Sequence, residues 1–280
     1  MHLLTTLADL RQYVNDQKRQ GHTLGLVPTM GALHAGHLAL VAASRATNDR
    51  TVASVFVNPI QFNNPDDLAR YPRTLEADAA MLDAAGCDAV FAPPAAEMYP
   101  QPPALKFDFG TLETVMEGRF RPGHFNGVGV VVAKLFHLVQ PDRAYFGQKD
   151  LQQCAVVKRL IDDLSFPLEL VVCPTQREAD GLAMSSRNRN LTVEERAAAP
   201  FIFRELTKAK TLLAEGRTTG TVQTMIERDF SENPVFRLEY FEVADPTSLE
   251  PLTGPLEGRP AALCVAAFLG KVRLIDNVLV

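Results

Sequence analysis

The pattern that most restricts the fold is an alternation in the first part of the chain. Short, continuous apolar runs rich in β-formers lie at residues 24–28, 51–57, 89–92, 144–146 and 168–173. Between them stand segments with helical spacing of apolar residues, at 37–46, 74–85, 128–139 and 151–164. A strand that is apolar on both faces needs cover on both faces, and helices returning the chain between parallel strands provide it. Right-handed crossovers then predict an α/β fold, a Rossmann-like doubly wound parallel sheet.

The pattern changes after residues 185–190. A helical stretch runs from about 192 to 215 and stops at Gly216, and a second covers 221–230. Residues 237–243 and 263–268 read as strands, with Gly270-Lys271 as a turn into a further strand at 272–275. This predicts a smaller C-terminal α+β domain. The boundary falls near 175–188, giving domains at 1–180 and 181–280. The Pro-rich stretch 92–103 reads as a surface loop. The first ten residues read as the start of an amphipathic helix, with neither a basic leader nor a long apolar stretch.

Composition narrows the function classes. The 280 residues are long for one domain, and 46% hydrophobic content supports a sizeable core. A net charge of -5 argues against a duplex nucleic-acid binder, which needs a strong basic stripe. Cys87, Cys154, Cys173 and Cys264 lack metal-ligand spacing and sit beside apolar residues, so reduced, buried thiols are expected. No apolar run is long enough to span a bilayer, and the expected location is cytoplasmic.

Several strand-to-helix corners carry polar residues suited to a ligand. In Pro28-Thr-Met-Gly-Ala-Leu-His-Ala-Gly-His37 a strand ends and a helix begins. Helix N-termini offer free N–H groups and partial positive charge, which suit phosphate, and Gly31 and Gly36 let the backbone approach closely. His34 and His37, three apart, share a helical face. Asn58 and Gln61 follow the second strand and offer neutral donors and acceptors for a small polar substrate; an Asn-Pro turn with Gln61 exposed is an equal alternative. The segment Gly118–Gly129 is basic and Gly-rich, with Arg121 and His124 as a substrate-site wall or as an ordinary helix start. Gly147-Gln-Lys-Asp150 is again strand, glycine, helix: Gly147 leaves room for a ribose, Asp150 can accept from its hydroxyls, and Lys149 supplies a point charge. Ser185-Ser-Arg187 follows Gly181 in a loop that also serves as an interdomain linker.

Together these segments resemble the pantothenate synthetase family within the His-x-Gly-His nucleotidyltransferases related to class I aminoacyl-tRNA synthetases. The matching stretches are Pro-Thr-Met-Gly-Ala-Leu-His-Ala-Gly-His37, Val57-Asn-Pro-Ile-Gln-Phe62, Arg121-Pro-Gly-His-Phe-Asn-Gly-Val128, Phe146-Gly-Gln-Lys-Asp-Leu-Gln-Gln153 and Asp180-Gly-Leu-Ala-Met-Ser-Ser-Arg-Asn188. Ala35, Asn126, Gln148 and Leu151 depart from the commonest family residues, and Ala77 stands where some relatives carry Asp.

The resemblance implies condensation of (R)-pantoate with β-alanine, through a pantoyl-adenylate, to give pantothenate, AMP and diphosphate. By it, Met30, Gly31, Ala32, Leu33, His34, Ala35, Gly36 and His37 meet ATP, as do Gly147, Gln148, Lys149 and Asp150. Gln176, Met184, Ser185, Ser186 and Arg187 complete that set, in a loop that stands in for the synthetases' Lys-Met-Ser-Lys-Ser segment. His34, His37, Lys149 and Arg187 offset charge on the phosphates, without a protein nucleophile. Gln61 contacts both pantoate and the β-alanine site, with Asn58 supporting it; Gln153 holds pantoate, and Arg121 and His124 are also in the substrate site. Asp78 is the candidate Mg²⁺ ligand. The resemblance further implies a homodimer formed through the N-terminal domain, a C-terminal domain that closes over the reactive adenylate, and no nucleic-acid or membrane partner. Two rivals are an adenylyl transferase for a phosphorylated acceptor and a non-catalytic nucleotide-binding module.

Overall fold

Among the residues described in a computed structural model, 1–63 and 65–280, six parallel strands carry the first part of the chain. They are β1 His2–Leu4, β2 Leu24–Thr29, β3 Arg50–Val55, β4 Ala89–Phe91, β5 Arg143–Gly147 and β6 Glu169–Cys173. Their order is β1-β4-β3-β2-β5-β6. The connecting helices are α1 Leu7–Arg19, α2 Ala35–Thr47, α3 Pro65–Arg70, α4 Leu75–Ala84, α5 Ala95–Met98, α6 Met116–Phe120, α7 His124–Val139 and α8 Leu151–Asp163. The chain runs from β2 through β3 to β4 in one direction, then returns to lay β5 on the other side of β2. Strand order therefore reverses between β2 and β5, the kind of switch point at which this fold class binds ligands.

Burial explains the near-continuous apolar strands. Val27, Ala53, Val90 and Tyr145 of the sheet pack with Leu40 and Val41 of α2 and Leu82 of α4. Helix α7 is buried along most of its length, which accounts for its run of valines. Gly127 in α7 is required by a close approach: a Cβ there would lie 2.6 Å from the Gln61 Cα and from the Ile60 carbonyl oxygen.

The chain divides into two compact units. The first comprises Met1–Glu113, Glu117–Gly147 and Gln153–Pro174, and the second comprises Thr114–Met116, Gln148–Gln152 and Thr175–Val280. The second unit contains α9 Val193–Ala198, α10 Phe201–Ala214, α11 Thr219–Ser231, β7 Phe236–Ala244, β8 Ala262–Leu269 and β9 Val272–Leu279. Its strands form an antiparallel sheet in the order β7-β8-β9. Leu206, Leu213, Val222 and Ile226 of the helices and Phe241, Leu263, Val265 and Leu274 of the sheet belong to one apolar core. Rings of Phe201, Phe230 and Phe236 meet in it at centroid distances of 4.9 to 5.7 Å.

Three local expectations need correction. The N-terminus begins with a strand, β1, paired in parallel with β4, and the helix starts only at Leu7. The stretch 192–215 is two helices. Pro200, in mid-stretch, lacks the N–H that a continuous helix needs, so α9 ends and α10 begins around it. The Pro-rich segment 92–103 contains a helical turn, α5, and Tyr99 just after it is partly buried against Asn58.

Candidate active site

The histidine corner follows β2. Gly31 and Ala32 both take positive φ, at 82° and 51°. The N–H groups of Ala32 and Leu33 donate to the two carboxylate oxygens of Asp78, at 2.9 and 2.8 Å. Thr74 Oγ1 also donates to Asp78 Oδ2, at 3.1 Å. Asp78 is 2% exposed, and its side chain fastens this left-handed loop onto α4. These bonds give Asp78 a structural role as the anchor of the loop, beside the Mg²⁺ role that the resemblance implies. Among the described residues no group of three or more His, Cys, Asp or Glu side chains is placed to hold a metal ion.

Beyond the loop, His34 caps α2. Its Nδ1 accepts from the Gly36 N–H at 3.1 Å, and the His37 Nδ1 accepts from the His34 N–H at 3.3 Å. The two rings lie 4.1 Å apart between centroids. A ring nitrogen that accepts carries no proton, so each neutral imidazole has its hydrogen at Nε2. The pair thus places two imidazole rings beside a helix N-terminus, an arrangement suited to anionic oxygens. Met30 and Gly36 are half-buried there and Ala35 is exposed, so Ala35 has room for other side chains.

A polar chain lies behind Gln61, in the loop after β3. Tyr99 Oη donates to Asn58 Oδ1 at 2.9 Å. Asn58 Nδ2 donates to Gln61 Oε1 and to the Gly127 carbonyl, both at 3.0 Å. Asn58 is 1% exposed, so it orients the Gln61 amide from behind. Gln61 Nε2 faces the soft Met30 sulfur at 3.2 Å. His124, buried at the start of α7, meets the Gln61 carbonyl through Nδ1 at 2.9 Å, and its Nε2 lies 3.2 Å from Arg121 Nη1. A consistent tautomer has Nδ1–H donating to the carbonyl and Nε2 accepting from arginine. Glu117 lies 3.7 Å from the same Arg121 nitrogen. Asn58 thus supports Gln61, and His124, expected in the substrate-site wall, spends one ring nitrogen on the Gln61 carbonyl and the other on Arg121. Gln61 is fixed as the polar group they support. Sequence reading missed Tyr99. Its Pro-rich surroundings disguised it, and burial raises its hydroxyl well above the ordinary tyrosine range.

Gly147 ends β5 with open space where a Cβ would stand, consistent with room for a ligand. Gln153 is half-buried on α8. In the second unit Lys149, largely covered, lies 3.7 Å from the exposed Asp150 carboxylate. The loop from Gln176 is a small hairpin: Arg177 and Ala183 form an antiparallel bridge, and the Met184 N–H donates to the Gln176 carbonyl at 2.9 Å. Ser185 caps the turn Ser186–Asn190 by accepting from the Arg187 N–H at 3.3 Å. Ser186 and Arg187 are half-buried within that turn.

Known proteins match across the whole chain. The family model described as pantoate-beta-alanine ligase matches residues 2–279. A pantothenate synthetase from Bacteroides thetaiotaomicron is 49% identical over 99% of this chain and 98% of its own. One from Moorella thermoacetica is 48% identical over 99% of this chain and 98% of its own. The crystal structure of pantothenate synthetase from Thermus thermophilus superposes with a TM-score of 0.92 at 46% identity, covering 99% of both chains. The pantoate-beta-alanine ligase of Francisella tularensis, complexed with beta-gamma ATP and beta-alanine, gives 0.84 at 33% identity, covering 100% of this chain and 97% of that one. With the histidine corner, the supported glutamine and the doubly wound sheet in place, this chain belongs to the pantoate-beta-alanine ligase family.

Proposed function

We propose that the chain ligates (R)-pantoate to β-alanine through a pantoyl-adenylate. The pantoate carboxylate attacks the α-phosphorus of ATP and diphosphate leaves. The β-alanine amine then attacks the acyl carbon, loses a proton and releases AMP. Neither step requires a protein nucleophile, so the protein's work is alignment and charge stabilisation. The observation that carries this reading is the close pair of His34 and His37 rings, 4.1 Å apart between centroids, each with its Nδ1 turned to a backbone N–H beside a helix N-terminus. They suit the charge developing on the phosphates. Gln61, oriented by Asn58, and Gln153 are assigned to pantoate. Lys149, Ser185, Ser186 and Arg187 are assigned to the triphosphate, with Gly147 and Asp150 at the ribose and the backbone near Gln176 and Met184 at adenine. The resemblance also implies Mg²⁺, entering with the nucleotide phosphates.

Cytoplasmic location and a homodimer belong to the same reading. No helix among the described residues is long and apolar enough to cross a membrane. An apolar groove of about 600 Å³ in the first unit, lined in part by Met98, Leu105, Phe107, Val130 and Leu138, suits a second copy.

The test is pantoate-dependent exchange of diphosphate into ATP before β-alanine is added. Exchange is expected from the wild type, with a loss of about a hundredfold or more in His37→Ala. Folded wild-type protein that shows no exchange sinks the adenylate route.

A further inference from the structure

The last strand carries two adjacent buried polar residues that the reaction as described does not use. Asp276 and Asn277 of β9 are 4% and 3% exposed. Neighbours in a strand point to opposite faces, so the two serve different segments. Asn277 Nδ2 donates to the carbonyls of Gln148 and Lys149, both at 2.9 Å. Its Oδ1 accepts from Gln148 Nε2 at 3.3 Å. One side-chain amide therefore holds two successive carbonyls of the turn that bears Lys149.

Asp276 takes the other side. Its carboxylate accepts from the two terminal guanidinium nitrogens of Arg177, at 2.6 and 3.0 Å. Arg177 also donates to the Gly181 carbonyl at 3.1 Å and the Asn277 carbonyl at 3.2 Å, and it lies 3.9 Å from the centroid of Phe203. Arg177 forms the bridge to Ala183 that opens the hairpin leading into Ser185 and Arg187. Two consecutive residues near the C-terminus thus anchor both segments assigned to phosphate in this unit.

We propose that Asn277 is a positioning residue for the nucleotide, acting through the Gln148–Lys149 backbone to aim the Lys149 ammonium. The inference rests on the reading of Lys149 as a phosphate contact. The physical basis is pitch: with both carbonyls tied to one amide, the turn cannot rotate without breaking a buried hydrogen bond. Lys149 itself is a flexible four-carbon chain, so the direction in which it leaves the backbone decides where its charge can reach.

Steady-state kinetics on the full chain, varying ATP and pantoate separately, test this. Asn277→Ala is expected to raise the KM for ATP about tenfold, leaving that for pantoate within about twofold. Asn277→Asp keeps the packing and the acceptor for Gln148 but loses both donors. It carries the same expectation should the alanine variant fail to fold. The double variant Lys149→Ala/Asn277→Ala is expected to be no worse toward ATP than Lys149→Ala alone, since both changes remove one interaction. Parallel rises in both KM values, or additive effects in the double variant, overturn the proposal. If Lys149→Ala raises the KM for ATP and both Asn277 variants do not, the proposal fails alone. If Lys149→Ala leaves the ATP dependence unchanged, the phosphate reading fails and takes the proposal with it.

Discussion

Asp78 shows how a residue type that suggests a metal ligand can also serve as an anchor for backbone. A carboxylate in the first turn of a helix near a nucleotide site invites a metal. Here its oxygens face backbone N–H groups 46 and 45 residues earlier in the chain. A loop with two successive positive φ values needs such an anchor, because without it the backbone would relax toward commoner conformations. Asp78→Asn places an amide N–H against a backbone N–H and is expected to cost about 2 kcal/mol in denaturant unfolding. Its Mg²⁺ midpoint in the exchange assay is expected to match the wild type. A Mg²⁺ midpoint several-fold higher would support the metal role that the resemblance implies. None of this was legible in the sequence, which shows the helical position of Asp78 but not what the fold sets opposite it. The bond between Tyr99 and Asn58, 41 positions apart, was hidden for the same reason. His34 and His37 were legible, because a strand, two glycines and a helix start are local and their chemistry follows from sterics and helix ends.

Helices α10 and α11 present a different electrostatic problem. Glu205 on α10 is buried, and burial pushes its carboxyl above the ordinary glutamate value. Asp229 on α11 adds to the rise, whereas Lys208 opposes it, as does Arg204. Lys208 is itself paired with Asp229. A carboxyl raised in the folded state favours its protonated form. Its contribution is present below the unfolded value and is lost as pH rises through the folded one. Glu205→Gln should therefore melt about 3 °C above the wild type near pH 8, with the advantage vanishing toward roughly pH 4.5. Thermal melts across that range decide it, and an advantage independent of pH would refute the assignment. The break between α9 and α10 was readable in principle, since Pro200 stands in the middle of the helical pattern. The periodicity on either side of it obscured the stop.

For the whole chain, the sequence already carried the alternation of strand and helix, because burial on both faces leaves an unmistakable apolar signature. It did not carry which side chains close the turns, since Asn277 reaches back 129 positions to Gln148. The proposed homodimer predicts a light-scattering mass of twice the chain mass at micromolar concentration, and a single chain mass there would remove it. The four thiols offer one more use of this architecture. Cys87, Cys154, Cys173 and Cys264 are all reduced and buried, and burial pushes the Cys87 thiol up to about 11 and raises that of Cys173. Thiolates are the reactive form, so alkylating reagents should pass the native molecule by and mark only chains that have opened. Cys264 belongs to the second unit and the other three to the first. Mass spectrometry of labelled peptides would then clock the opening of each unit separately, with no probe introduced by mutation.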